Sequence, residues 1–126
     1  MRLLIDTHIL VWALVEPGSL SSRATALLED WGNEILVSAV SGYEIEFKRP
    51  VDPLLGRLPM DLQSAVEAEG FNWRSITAAD SIAAAKLPRY HRDLWDRLLM
   101  AQCLADGIPL ISCDGRLADY GATVIW

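Results

Sequence analysis

The 126-residue sequence predicts an α/β protein, a three-layer sandwich in which a central, mostly parallel sheet of about five strands is flanked by helices. Short apolar runs alternate with longer segments of helical periodicity. Strands that alternate with helices imply a parallel sheet with helices on both faces. The hydrophobic share, 52%, lies above the usual range, so a well-filled core is expected and disorder is not. The length suits one domain spanning residues 1–126, able to bury about two-thirds of its unfolded surface.

Residues 1–5 form the first strand, an apolar run ended by Asp6. Residues 7–15 read as a helix that Pro17 and Gly18 stop. Ser21 or Ser22 caps a second helix carrying Ala24, Leu27, Leu28 and Trp31 at helical spacing. Residues 34–38 are the second strand, followed by a helix over 39–48. Pro50 and Pro53 break that helix, because proline removes a donor and restricts its neighbour. A helix over 61–69 ends at Gly70, and residues 72–76 form the third strand. Thr77 with Asp80 makes a capping box for an alanine-rich helix reaching Lys86. A loop over 87–92 leads to a long helix that starts at Asp93 or Leu94 and closes at Gly107. The fourth strand is 110–113, a short helix holds 117–120, and the last strand is 123–126.

Net charge is −6 with a pI near 4.7, which argues against a broad basic face for nucleic acid. It is compatible with a cation bridging acids to phosphate, and it makes a basic protein partner credible. Cys103 and Cys113 lack the spacing of a zinc site and are expected to be reduced, as in a cytoplasmic protein. No apolar stretch approaches the roughly 18 residues of a membrane span, and the N-terminus lacks the sections of a signal peptide. Walker, Gly-x-Gly-x-x-Gly and Gly-x-Ser-x-Gly motifs are missing.

Four acids stand where a carboxylate is structurally wasteful. Asp6 and Asp114 each follow a buried strand, where an open α/β sheet faces its ligand crevice. Asp96 shares a helix face with Leu99, Met100 and Cys103, on a helix that is apolar almost all round. Glu44 rides the helix after the second strand, between Val40 and Phe47 of an apolar arc that includes Tyr43. Each acid has a plain alternative. Asp6, Asp93 and Asp96 sit where helix caps sit, Asp114 precedes Gly115 in a turn, and a helical glutamate is usually solvated. Joint placement favours a site. Two unit charges roughly 5 Å apart repel by about 3 kcal/mol at an effective dielectric near 20, so clustered carboxylates need protons or a cation. Oxygen ligands with open positions suit Mg²⁺ or Mn²⁺. Lys86, Arg89, His91, Arg92 and Arg97 bring positive charge close to Asp93 and Asp96, as a phosphate grip or as a solvated loop. His8 lies beside Asp6.

Taken together, Leu4-Ile5-Asp6-Thr7-His8, Ser38-Ala39-Val40-Ser41-Gly42-Tyr43-Glu44-Ile45, the run from His91 to Gln102, and Ile111-Ser112-Cys113-Asp114 resemble the PIN-domain family. Within it, the chain looks like the VapC-type toxins of bacterial toxin–antitoxin pairs. The resemblance implies an endoribonuclease dependent on Mg²⁺ or Mn²⁺, with Asp6, Glu44, Asp96 and Asp114 as catalytic and metal-holding acids. For such an RNA substrate, Arg92, Arg97 and Ser112 are the candidate binding residues. The resemblance also implies a homodimer and a cognate antitoxin with a basic tail. Tyr43, Leu94-Trp95, Ser112 and Leu117 depart from the residues frequent in the family, and the segment 49–59 is atypical. Two other classes compete. A receiver-like signalling module would need paired acids after the first strand and a lysine after the last, which the chain lacks. A non-catalytic PIN-like module would use its acids only to hold a partner's arginine.

Overall fold

In the computed structural model, which describes residues 1–90 and 92–126, β1 (Arg2–Ile5) occupies the centre of the sheet. It pairs with β2 (Glu34–Ser38) on one side and β4 (Leu110–Ile111) on the other. Outside these lie β3 (Asn72–Arg74) and β5 (Val124–Ile125), giving the order β3-β2-β1-β4-β5. Every pairing is parallel, so the expected mostly parallel sheet is entirely so. The chain steps outward from β1 to β3, then returns to β4 on the far side of β1. The crevice between β1 and β4 is therefore a topological switch point, the place where open α/β sheets bind ligands.

Strand pleating divides the core in two. Leu3 and Ile5 point to one face and pack with Ile9, Leu10 and Val11 of α1 (Thr7–Val15) and with Leu62 and Val66 of α4 (Leu62–Ala68). Leu4 points to the other and packs with Leu99, Met100 and Cys103 of α6 (Leu94–Asp106). Leu3, Leu4 and Ile5 are wholly buried, each stabilising the fold by roughly 1.5–3 kcal/mol. The remaining helices are α2 (Ser22–Glu29), α3 (Ala39–Lys48) and α5 (Ala78–Lys86). Burial lifts the Cys103 thiol to about 12, and both cysteines are free.

Two expectations are corrected in α2 and beyond. Trp31 does not join the helix face, because α2 ends at Glu29. The Asn33 side-chain amide donates to Leu27 O at 3.0 Å and the Gly32 N–H donates to Asp30, a turn that leaves Trp31 96% exposed. The short helix near the C-terminus is a 3₁₀ helix (Gly115–Tyr120) that starts before Leu117.

Arg74, at the end of β3, locks β3, α5 and α6 together. Its guanidinium donates to Asp80 at 2.9 and 3.1 Å and to Asp106 at 2.8 and 3.2 Å. The Thr77–Asp80 capping box forms as the sequence predicts. Asp80 is nearly buried, which raises its pKa, but Arg74, Thr77 and Gln102 outweigh that and hold it below the ordinary carboxylate value. In the 49–59 segment Arg49 donates to Leu55 O, Leu58 O and Pro59 O, which ties an otherwise irregular excursion to the end of α3. No helix among the described residues is long and apolar enough to cross a membrane.

Candidate active site

Asp6 lies at the mouth of the β1–β4 crevice and is only 6% exposed. It does cap α1, its Oδ1 accepting the Ile9 N–H at 3.0 Å, as the plain reading proposed. A cap alone does not account for its surroundings. Burial raises the pKa of Asp6, against the lowering pull of hydrogen bonds from Ser112 and Ile9 and of nearby His8, while Glu44 raises it further. Ser112 is fully buried, and its Oγ also accepts the Asp114 N–H at 3.0 Å. One hydroxyl therefore fixes both strand-end aspartates across the switch point. Ser112 serves here as an organiser of the acids.

Glu44 is 7% exposed, although the apolar arc of α3 gave the weakest reason to bury it. The arc misled because Tyr43 and Phe47 leave the core, at 63% and 68% exposed, while Val40, Ser41, Glu44 and Ile45 turn inward. Thr7 Oγ1 donates to Ser41 Oγ at 2.9 Å, a buried bond that seats α3 against the start of α1. Glu44 Oε2 meets Lys48 Nζ at 2.6 Å, one turn along the helix. The hydrogen bond to Glu44 raises the pKa of Lys48, and Asp93 and Asp96 add to the effect. The sequence offered Lys48 only as the end of a helix, with an i,i+4 spacing from Glu44 as its single signal.

Asp96 stands at the third position of α6. Asp93 is the N-cap, taking the Trp95 and Asp96 N–H groups at 2.8 and 3.3 Å, so the capping task belongs to Asp93. Asp96 is left facing acids. Burial first, then Asp93, Asp6, Glu44 and Asp114 in turn, raise its pKa to about 7. A carboxyl with this value titrates near neutrality, as groups in functional sites often do. Asp114 caps the 3₁₀ helix through the Arg116 N–H and is gripped twice by the Arg116 side chain, both bonds at 2.9 Å. Arg116 was absent from the residues the sequence singled out.

The structure thus brings Asp6, Glu44, Asp96 and Asp114 into mutual electrostatic range from four separated segments. Their donor chemistry, all carboxylate oxygen, suits a hard divalent cation. Among the described residues no three acidic, His or Cys side chains are drawn tightly enough to hold an ion as they stand. Lys48 pairs with Glu44, and Arg116 with Asp114.

The basic residues divide. Arg89 and Arg92 line a groove of about 650 Å³ with Ala85, Leu94 and Arg97 beside the start of α6. Arg97, expected beside substrate, instead directs its guanidinium to main-chain carbonyls. It donates to Pro88 O and to Ala84 O, Ala85 O and Leu87 O, at the carboxyl end of α5. Being 8% exposed, it closes the negative pole of that helix. His91, grouped with these residues in the sequence, lies outside the described residues.

Comparison with known proteins identifies the family. Ribonuclease VapC22 of Mycobacterium tuberculosis (strain ATCC 25618 / H37Rv) is 28% identical over 118 residues, covering 93% of this chain and 90% of its own. The fold matches VapBC2 from Rickettsia felis, bound to a DNA fragment from its promoter, with a TM-score of 0.70 at 14% identity, covering 99% and 98% of the two chains. It also matches a toxin–antitoxin complex from Klebsiella pneumoniae with a TM-score of 0.66 at 20% identity, covering 98% and 95%. The family model of the PIN domain matches residues 3–122. The chain belongs to the PIN-domain family.

Proposed function

We propose that the protein is a ribonuclease that hydrolyses RNA phosphodiester bonds with a divalent cation, Mg²⁺ or Mn²⁺, and that it is the toxin of a toxin–antitoxin pair. The observation that carries the reading is Asp96. Its carboxyl is lifted by burial and by Asp93, Asp6, Glu44 and Asp114, although Asp93 already supplies the cap of its helix. Strain of this kind persists where the clustered charge is used. Similarity over nearly the whole chain to a protein named as a ribonuclease supports the same class.

Asp6, Glu44, Asp96 and Asp114 are the residues that would hold the cation. When bound it supplies acidification of a water and relief of charge at the phosphoryl group. Ser112 keeps Asp6 and Asp114 in fixed register for that task. Lys48, which pairs with Glu44 at the rim, would have its ammonium free for a phosphate oxygen if Glu44 held the cation. Arg92 lines the neighbouring groove, where its charge would suit the flanking backbone. No side chain acts as a covalent nucleophile in this scheme. The toxin role is supported by neighbours described as toxin–antitoxin complexes. An arginine of a basic antitoxin segment suits the site, because one guanidinium pairs with two carboxylates.

The test is cleavage of a structured RNA pool by purified protein with Mn²⁺ and with EDTA. Cleavage with Mn²⁺, abolished by EDTA and reduced by orders of magnitude in Asp6→Asn and Asp96→Asn, is expected. Wild-type cleavage by both variants would defeat the assignment.

A further inference from the structure

Arg116 has no task in the scheme above, yet it is seated at the acids. It lies two residues past Asp114, in the 3₁₀ helix that follows β4. The carboxyl end of β4 borders the switch point, where an open α/β sheet meets its ligand. From there the guanidinium reaches back to Asp114 as a fork. Nε donates to Oδ1 and Nη2 donates to Oδ2, both at 2.9 Å. The main-chain N–H of Arg116 donates separately to Oδ1 at 3.1 Å, so the cap of the 3₁₀ helix does not need the side chain. The pKa of Arg116 is raised by Asp114 first and also by Asp96, which puts the guanidinium within electrostatic range of two site acids.

This seat is weak and easily exchanged. The side chains of Arg116 and Asp114 are 74% and 27% exposed, and an ion pair so placed contributes little to stability. It nonetheless engages both oxygens of Asp114, and a divalent ion on the same carboxylate would repel the guanidinium. Away from Asp114, Arg116 still carries a permanent charge and a planar fork of N–H donors. A fork that fits two carboxylate oxygens also fits two oxygens of a phosphodiester. Hydrolysis builds charge on those oxygens, in a place already crowded with acids, so a donor preset there favours the transition state. Arg97 is not available for this, since its guanidinium is spent on carbonyls at the end of α5.

Resting on the ribonuclease reading above, we infer that Arg116 is a further catalytic residue. In the cation-free protein Asp114 parks its guanidinium; when Asp114 is given to the cation, Arg116 turns to the non-bridging oxygens of the scissile phosphate. Asp114 thus has two exclusive partners, and Arg116 changes partner with it.

The experiment takes two readouts from wild type, Arg116→Ala, Arg116→Lys and a charge control, Arg23→Ala, on the exposed face of α2. Mn²⁺ affinity is measured by titration calorimetry without RNA. The kcat for cleavage of a labelled RNA oligonucleotide is measured at Mn²⁺ concentrations that saturate each variant. Arg116→Ala is expected to bind Mn²⁺ roughly two- to fivefold more tightly, the range an exposed ion pair allows. It is also expected to lose at least about tenfold in kcat, as when one donor to developing charge is removed. Arg116→Lys should recover part of that kcat, and Arg23→Ala should match wild type in both readouts. The two effects of Arg116→Ala have opposite signs. Tighter Mn²⁺ binding shows that the acids are intact, so the lost turnover is not a folding defect. Unchanged or weaker Mn²⁺ binding by Arg116→Ala overturns the parking contact and the proposal with it. Unchanged kcat in Arg116→Ala overturns the phosphate contact. Either result leaves cleavage by wild type, and hence the ribonuclease reading, standing. A wild type that cleaves no RNA with Mn²⁺ instead removes that reading and the role of Arg116 together.

Discussion

At the scale of single residues, Asp96 carries a carboxyl that burial and four neighbouring acids make costly to ionise. Its folded pKa of about 7 stands above the ordinary carboxylate value of 3.8. Between those values the folded state keeps a proton that the unfolded state has released. Stability from this group is therefore lost as pH rises toward and through 7, the reverse of a salt-bridged aspartate. Asp6 is shifted in the same direction. Asp96→Asn removes the penalty and keeps a helix-compatible amide. In EDTA its melting temperature should match wild type only below the ordinary carboxylate value and exceed it increasingly up to pH 8, while RNA cleavage with Mn²⁺ collapses. A variant less stable than wild type at pH 8 would return Asp96 to an ordinary first-turn role. All four acids were legible in the sequence, three of them because a strand end or an apolar helix is a poor place for a carboxylate. Glu44 was the least legible, since two solvent-exposed aromatics imitate a core-facing arc around it. Lys48 and Arg116 were not legible at all as site neighbours, because an exposed cation carries no local sign of where its charge is spent.

At the scale of elements, strand and helix order was readable because each helix begins with a side-chain cap and the strands are short apolar runs. Asp6, Ser21, Ser38, Asp61, Thr77 and Asp93 all cap as their residue types predict. Strand length was overstated on the β5 side of the sheet, where β4 and β5 pair over two residues. Apolar character extends past the last ladder bond there, so composition cannot mark the end. What holds the edge of the molecule is long-range and polar, hence invisible to periodicity. Arg74 is 17% exposed in its side chain and bridges Asp80 and Asp106, which lie 26 residues apart on α5 and α6. Replacing one member of a buried pair strands its partners, at a cost of about 3–5 kcal/mol. Arg74→Leu should therefore lower urea stability by about that amount. Arg97→Lys should also destabilise, by roughly 1–3 kcal/mol, because an ammonium cannot fan across carbonyls as the planar guanidinium does. If Arg97→Lys melts like wild type but loses RNA affinity, its expected place beside substrate is restored.

For the whole molecule, the distribution of charge matters more than its sum. Asp6, Glu44, Asp93, Asp96 and Asp114 gather at the carboxyl edge of the sheet, with Lys48 and Arg116 at their rim. The Arg116–Asp114 pair is largely solvent-exposed and screened by salt, so it is a weak counterweight. Burial and the neighbouring acids raise the pKa values of Asp96 and Asp6, so gathering this charge is costly near neutral pH. A divalent ion that binds only the folded state would stabilise it by about 2.7 kcal/mol at a hundredfold excess over Kd. Because ligands must give up their protons, its affinity should rise with pH. The expected outcome is a melting temperature several degrees higher with Mn²⁺ than with EDTA, a gap wider at pH 8 than at pH 6, and a gap much reduced in Asp96→Asn. Titration calorimetry in two buffers of different ionisation enthalpy should register proton release on Mn²⁺ binding near pH 7, lost in the same variant. Superimposable melting curves at saturating Mg²⁺ and Mn²⁺ across this range would mean that the acids are balanced by Lys48, Arg116 and protons alone, and the cation-dependent mechanism would fall.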